Sequence, residues 1–141
     1  MQKILAVLVV VGAVARAAVA LAAASTRAPI MVGAKLDAKQ DHARSRGTGS
    51  FTGTITGRKL VFTLTFRRLT GPASAAHIHL GTKGVAGPVI VPLCGPCKTK
   101  VKGTMTLTAA TLKAIRRGRT YVNVHTAKYP NGEIRGQLSA H

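Results

Sequence analysis

Two adjacent runs with strict two-residue alternation constrain this chain more than any other feature. In Ser50–Gly57, SFTGTITG, Phe51, Gly53 and Ile55 fall on one face and Thr52, Thr54 and Thr56 on the other. In Lys59–Leu69, KLVFTLTFRRL, Leu60, Phe62, Leu64 and Phe66 share one face, and Val61, Thr63, Thr65 and Arg67 the other. A period of two is the signature of a strand with one face in a core and one in water. The turn signal Gly57-Arg58 between them makes the two runs an antiparallel hairpin. A hairpin alone is only marginally stable, so the rest of the chain must supply further strands.

Further short runs meet that need: Val32–Ala38, Ala75–Leu80, Val89–Leu93, Val101–Leu107, Tyr121–Thr126 and Glu133–Leu138. Polar or Gly/Pro stretches separate them, among them Lys39–Gly49, Gly71-Pro72 and Tyr129–Gly132. One helical signal interrupts the series. Thr108 can cap it, Leu112 and Ile115 stand three apart, Arg116-Arg117 suit its last turn and Gly118 its end. The pattern predicts an all-β, antiparallel, Greek-key-like sandwich or barrel of seven or eight strands with one short connector helix.

Residues 1–24 are not part of that domain. Lys3 gives a positive start, Ile4–Ala15 an apolar stretch and Ala22-Ala23-Ala24 a small-residue cleavage site. This is a signal peptide, with an uncleaved membrane anchor as the alternative, and it places the protein outside the cell or in the envelope. Residues 25–31 read as a tether and 32–141 as the domain. Cys94 and Cys97, the only cysteines, suit an oxidising compartment as a disulfide.

The formal net charge is +18, with Asp37, Asp41 and Glu133 the only acids. Such a balance favours anionic partners. The bases are scattered singly or in pairs, and the five aromatic residues do not interleave with them, so no nucleic-acid partner is expected. A basic surface held at an anionic cell-envelope polymer or a lipid surface is the expectation.

Three stretches together carry a resemblance: LTFRRLTGP at 64–72, AAHIHLGTKGVAGPVIVPLC at 75–94, and GRTYVNVHTAKYPNGEIRGQL at 118–138. In this combination the chain resembles the chordin-type (CHRD) domain family, over about Val32 to Leu138, as a secreted single-domain bacterial-type member. The resemblance implies an extracellular β-sandwich. Where the family's first strand ends on acidic-Val-Pro, this chain has LDAKQDH at 36–42.

Candidate chemistry is confined to a few positions. His77 and His79, two apart on a strand, point to one face roughly 6.6 Å apart along the chain. His125 faces away from its aliphatic neighbours on a second strand. Three neutral imidazoles with an open position suit copper or zinc. His-x-His on a β-sandwich is similar in pattern to the copper strand of Cu/Zn superoxide dismutase. An acidic ligand to go with it is not legible, because Asp37 and Asp41 lie in the divergent stretch and Glu133 in the closing motif. The plainer alternative has these histidines hydrogen-bond loop carbonyls and fix the Gly-rich loop.

Cys94-Gly95-Pro96-Cys97 matches the thioredoxin dithiol in letters, which makes a thiol-disulfide oxidoreductase a weaker alternative. Residues 98–103 give no helix to lower a thiol pKa, so a local staple between strands is the preferred reading. Gly81, Gly84, Gly87 and Pro88 shape a loop packed close to the sheet. It is not a phosphate loop, since Gly-Lys-Ser/Thr and a following helix are missing. Glu133 and Arg135 share a strand face and serve as a cross-strand ion pair or as hydrogen bonds to a loop. No catalytic residues are assigned: neither a carboxylate pair nor a Ser-His-Asp set can be assembled. The reading is a non-enzymatic extracellular or envelope binding module, with metal binding as the alternative.

Overall fold

The computed structural model describes residues 27–141; the leader at 1–24 lies outside the described residues. The chain forms β1 (Ile30–Asp37), β2 (Thr48–Thr56), β3 (Lys59–Arg67), β4 (Ala73–Leu80), β5 (Val89–Cys94), β6 (Lys100–Thr106), α1 (Ala109–Arg116), β7 (Thr120–Thr126), β8 (Ile134–Gln137) and β9 (Ser139–Ala140). The first strand starts at Ile30, two residues inside the stretch read as a tether. The ninth strand is a two-residue pairing to β1 that alternation cannot signal.

All pairings are antiparallel, in the order β5-β4-β7-β8-β1-β2-β3-β6 with β9 beside β1, in one nearly closed, barrel-like sheet. The segment between β5 and β6 spans the two ends of the sheet: Cys97 N–H donates to Ala73 O of β4, and Phe66 N–H of β3 donates to Thr99 O.

The hairpin has the register its alternation requires. Phe51 faces Leu64, Gly53 faces Phe62 and Ile55 faces Leu60, with the turn at Gly57, where φ is +61°. Gly103, opposite Phe62 on β6, leaves room for that ring, which stacks on Phe51 at 5.5 Å. Burying each such side chain contributes roughly 1.5–3 kcal/mol. The core joins this hairpin face to Ile78, Val122, Val124, Ile134 and Leu138 from the other half of the sheet.

The helix forms where its capping signals place it. Thr108 Oγ1 accepts from Thr111 N–H at 3.0 Å, Gly118 beyond the last turn has φ +63°, and the helix buries Ile115 against the barrel end.

β7 departs from simple alternation. Tyr121, Asn123 and His125 do point away from the aliphatic core, yet every residue of the strand is buried. The loop 81–88 folds over β7: Tyr121 Oη accepts from Gly87 N–H, and Gln137 Nε2 donates to Gly81 O. The turn 127–133 covers the other end, where Asn123 Nδ2 donates to Asn131 O. The outer face of β4 and β7 is therefore a roofed polar layer.

Candidate functional site

The three histidines predicted from strand spacing meet under this roof. β4 and β7 pair with His77 opposite Asn123 and Ala75 opposite His125, so His125 sits diagonally across from His77 on the same face. The nearest nitrogens, His77 Nδ1 and His125 Nε2, are 3.1 Å apart. The His79 ring lies 5.6 Å from that of His77 and 5.7 Å from that of His125. One ring nitrogen from each residue falls within 4.8 Å of the others.

The roof sets the tautomers of two of these rings. A carbonyl oxygen can only accept, so a ring nitrogen facing one must carry the proton. His79 Nδ1 donates to Gly87 O at 2.9 Å and His125 Nδ1 donates to Pro130 O at 2.9 Å. Both Nε2 atoms are thereby left with lone pairs directed inward, and His79 Nε2 is buried without a partner. These contacts are the loop-fixing bonds of the plainer reading. They use only the outer nitrogens, and carbonyl bonds of this kind also orient the imidazoles of metal sites. Burial lowers the pKa of His77, assisted by the charge of His79. It also lowers that of His125, where the Pro130 carbonyl opposes it and His77 and His79 assist it. Both rings are held in the neutral form that a metal requires.

Two residues of the Gly-rich motif hold the roof down. Gly84 takes φ +78°, and a Cβ on Gly87 would collide with the Leu80 backbone carbonyl. Only glycine lets the Gly87 carbonyl come down onto His79.

Arg135 and Glu133 do not pair. Arg135, 2 % exposed, donates through Nη2 to Thr82 O and Val85 O, both at 2.9 Å, which secures the Gly-rich loop. Its Cζ sits 3.3 Å from the centroid of the Tyr121 ring, and that ring stacks on His79 at 4.9 Å. Glu133 lies just before β8 and is fully buried. It accepts from Ser45 Oγ at 2.5 Å, Thr70 N–H at 2.7 Å, Thr70 Oγ1 at 2.8 Å and Thr126 Oγ1 at 2.7 Å. Of the two structural uses foreseen for the pair, the loop hydrogen bonds are the ones formed.

Asp41 is not among the three residues whose ligand atoms converge, but it lies close to them. Its Oδ2 is buried without a partner, and it comes within 2.5 Å of where a Gly132 Cβ would stand. Burial raises its pKa, opposed by the charges of Arg135, His79 and His42, so its carboxylate belongs to the surroundings of the histidine cluster. It lies in an irregular segment where no periodicity marks it. Tyr121 was also missed as a partner of His79, although its place two residues from Asn123 in the same strand was visible.

The Cys94 and Cys97 sulfurs lie at disulfide distance, 2.09 Å apart. The chain after Cys97 enters β6, so no helix N-terminus faces the pair.

The CHRD domain family matches residues 32–138. The chain belongs to the CHRD domain family. No curated protein and no solved structure matches it. The match runs from Val32, within β1, through the end of β8, so the CHRD domain here includes all three histidines, the Gly-rich roof and Glu133.

Proposed function

We propose that this CHRD domain is a metal-binding module that holds copper or zinc on His77 Nδ1, His79 Nε2 and His125 Nε2. The observation that carries this reading is the convergence of the three ligand nitrogens within 4.8 Å, with two rings oriented by carbonyls behind them. Bonds of about 2.0–2.1 Å require nitrogens roughly 3.4 Å apart. Small ring rotations reach that spacing and exchange the His77–His125 hydrogen bond for coordination. A fourth position opens on the side of His77, the least buried of the three. The metal would supply Lewis acidity or, as copper, electron transfer. The chain supplies neutral nitrogen ligands, a roof that excludes water, and a guanidinium stacked behind the His79 side.

The module acts outside the cytosol, without an enzymatic activity of its own; the leader composition and the cysteine pair support that setting. Titration calorimetry of the purified protein with Cu²⁺ and Zn²⁺ tests the site. One ion per chain is expected, with affinity reduced by about 100-fold or more in His79→Ala and His125→Ala. Absence of stoichiometric binding, or binding indifferent to both substitutions, refutes the proposal.

A further inference from the structure

The opposite half of the sheet carries a surface that the histidine site does not use. β1, β2, β3 and β6 turn one face inward, and among the described residues no loop covers the other. The register aligns hydroxyls across that outer face: Ser50 pairs with Thr65, and Thr52 with Thr63. Val61 pairs with Thr104, and Thr63 with Lys102. Neighbouring strands stand about 4.8 Å apart and same-face residues along a strand about 6.6 Å apart, so the hydroxyls form a two-dimensional lattice. Ser50 Oγ and Thr65 Oγ1 are 2.9 Å apart and tie two columns together. Shallow grooves run along it, one lined by Thr48, Ser50, Thr65 and Arg67, another by Thr52, Thr54, Val61 and Thr63.

The charge on this face is almost entirely of one sign. Lys35, Lys59, Arg67, Lys100 and Lys102 are exposed on it. Its one carboxylate, Asp37, stands at an end and accepts from Lys39 N–H. The lysines of β6 also protect a free sheet edge from pairing with another chain, an ordinary use of lysine at edges. That use does not require the hydroxyl lattice or the bases on the interior strands β1 and β3.

We infer that this face is a docking surface for a linear acidic polysaccharide. Charge complementarity supplies attraction, and the hydroxyl lattice supplies donors and acceptors at intervals that sugar hydroxyls and carboxylates can meet. The face has no aromatic ring, so it lacks the stacking platforms of single-strand nucleic-acid binders. Met31 and Val61 are its exposed large apolar residues, too little to insert into a bilayer interface. The inference is independent of the metal site.

The test measures binding of the purified protein to polygalacturonate and heparin, with dextran, duplex DNA and phosphatidylglycerol vesicles as comparisons. Lys100→Gln/Lys102→Gln is expected to weaken binding to both acidic polysaccharides by about 10-fold and to reduce the salt dependence by about two charges. Arg116→Gln/Arg117→Gln removes the same charge from the helix and is expected to change it less than about 2-fold. Thr52→Val/Thr63→Val keeps the charge and is expected to weaken binding several-fold. Melting temperatures close to the parent's identify variants that remain folded. Equal losses from the two charge pairs, no loss from the threonine pair, tighter binding to DNA or vesicles, or no binding at low salt overturns the inference.

Discussion

Replacing Glu133 by Gln tests the account of how the loops are held around the site. The carboxylate is fully buried and accepts four hydrogen bonds, from Ser45, from both the N–H and the hydroxyl of Thr70, and from Thr126. Three segments distant in sequence therefore end on one side chain. The amide is nearly the same shape but has one acceptor oxygen. If that oxygen serves the Thr70 N–H and Ser45, the amide nitrogen faces two threonine hydroxyls that must rotate to accept. Hydrogen bonds to a charged group are worth about 1.5–3 kcal/mol each, and a buried donor left unpaired costs about 1–3 kcal/mol. Allowing for hydroxyl rotation, the expected loss is about 2–3 kcal/mol at neutral pH. For a domain of this size that is a fall in Tm of roughly 10 °C.

The effect has a pH signature. Burial acts to raise the Glu133 pKa from its ordinary value of 4.5, but the hydrogen bonds from Ser45, Thr126 and Thr70 outweigh it and hold the pKa lower. The stability it contributes is complete above 4.5 and is lost as the pH falls through the depressed folded value. Calorimetric melting of parent and variant between pH 7 and pH 3 should show a gap that narrows at the acid end. Equal melting temperatures at pH 7, or a gap that does not narrow, refutes the reasoning.

Three further outcomes follow from the same contacts. Arg135→Gln removes the guanidinium that secures Thr82 and Val85, so amide exchange in the loop 81–88 should accelerate well beyond any change in the hairpin β2–β3; equal change in both regions contradicts it. Gly87→Ala brings a Cβ against the Leu80 carbonyl and lifts the Gly87 oxygen off His79, so metal affinity by calorimetry should fall about 10- to 100-fold. Cys94→Ser/Cys97→Ser releases a very short loop and should lower stability by about 2 kcal/mol in denaturant unfolding. Cys94 pairs with Ala76, whose side chain is in the core on the face opposite His77, so metal binding in that variant should stay at the parent's level.

The parts of this structure legible from the sequence are those written as short-range pattern. The hairpin β2–β3 was readable because Phe51, Ile55, Leu60, Phe62 and Leu64 alternate without interruption, and a slip of one residue would turn all of them to water. His77 and His79 were readable as a same-face pair for the same reason. The adjacency of His125 was not, because β4 and β7 pair across a long stretch of intervening chain and alternation shows only which face His125 takes. The burial of β7 on both faces was not legible, since it depends on two loops folding back over the sheet. Asp41 and the partners of Glu133 were hidden for a related reason. Asp41 and Ser45 sit in irregular backbone, whose position is fixed by tertiary contacts and not by any period of its own.

The placement of β1 has a consequence for how the chain folds. It lies inside the sheet, between β2 on one side and β8 with β9 on the other. Its second set of partners, Arg135, Ser139 and Ala140, comes far later in the sequence. One edge of β1 must therefore stay unpaired until β8 and β9 have been made. Contacts so distant in sequence favour slow folding, on the order of milliseconds to seconds. Loss of β8 and β9 would open the barrel at its middle, which makes these two strands the latch of the domain.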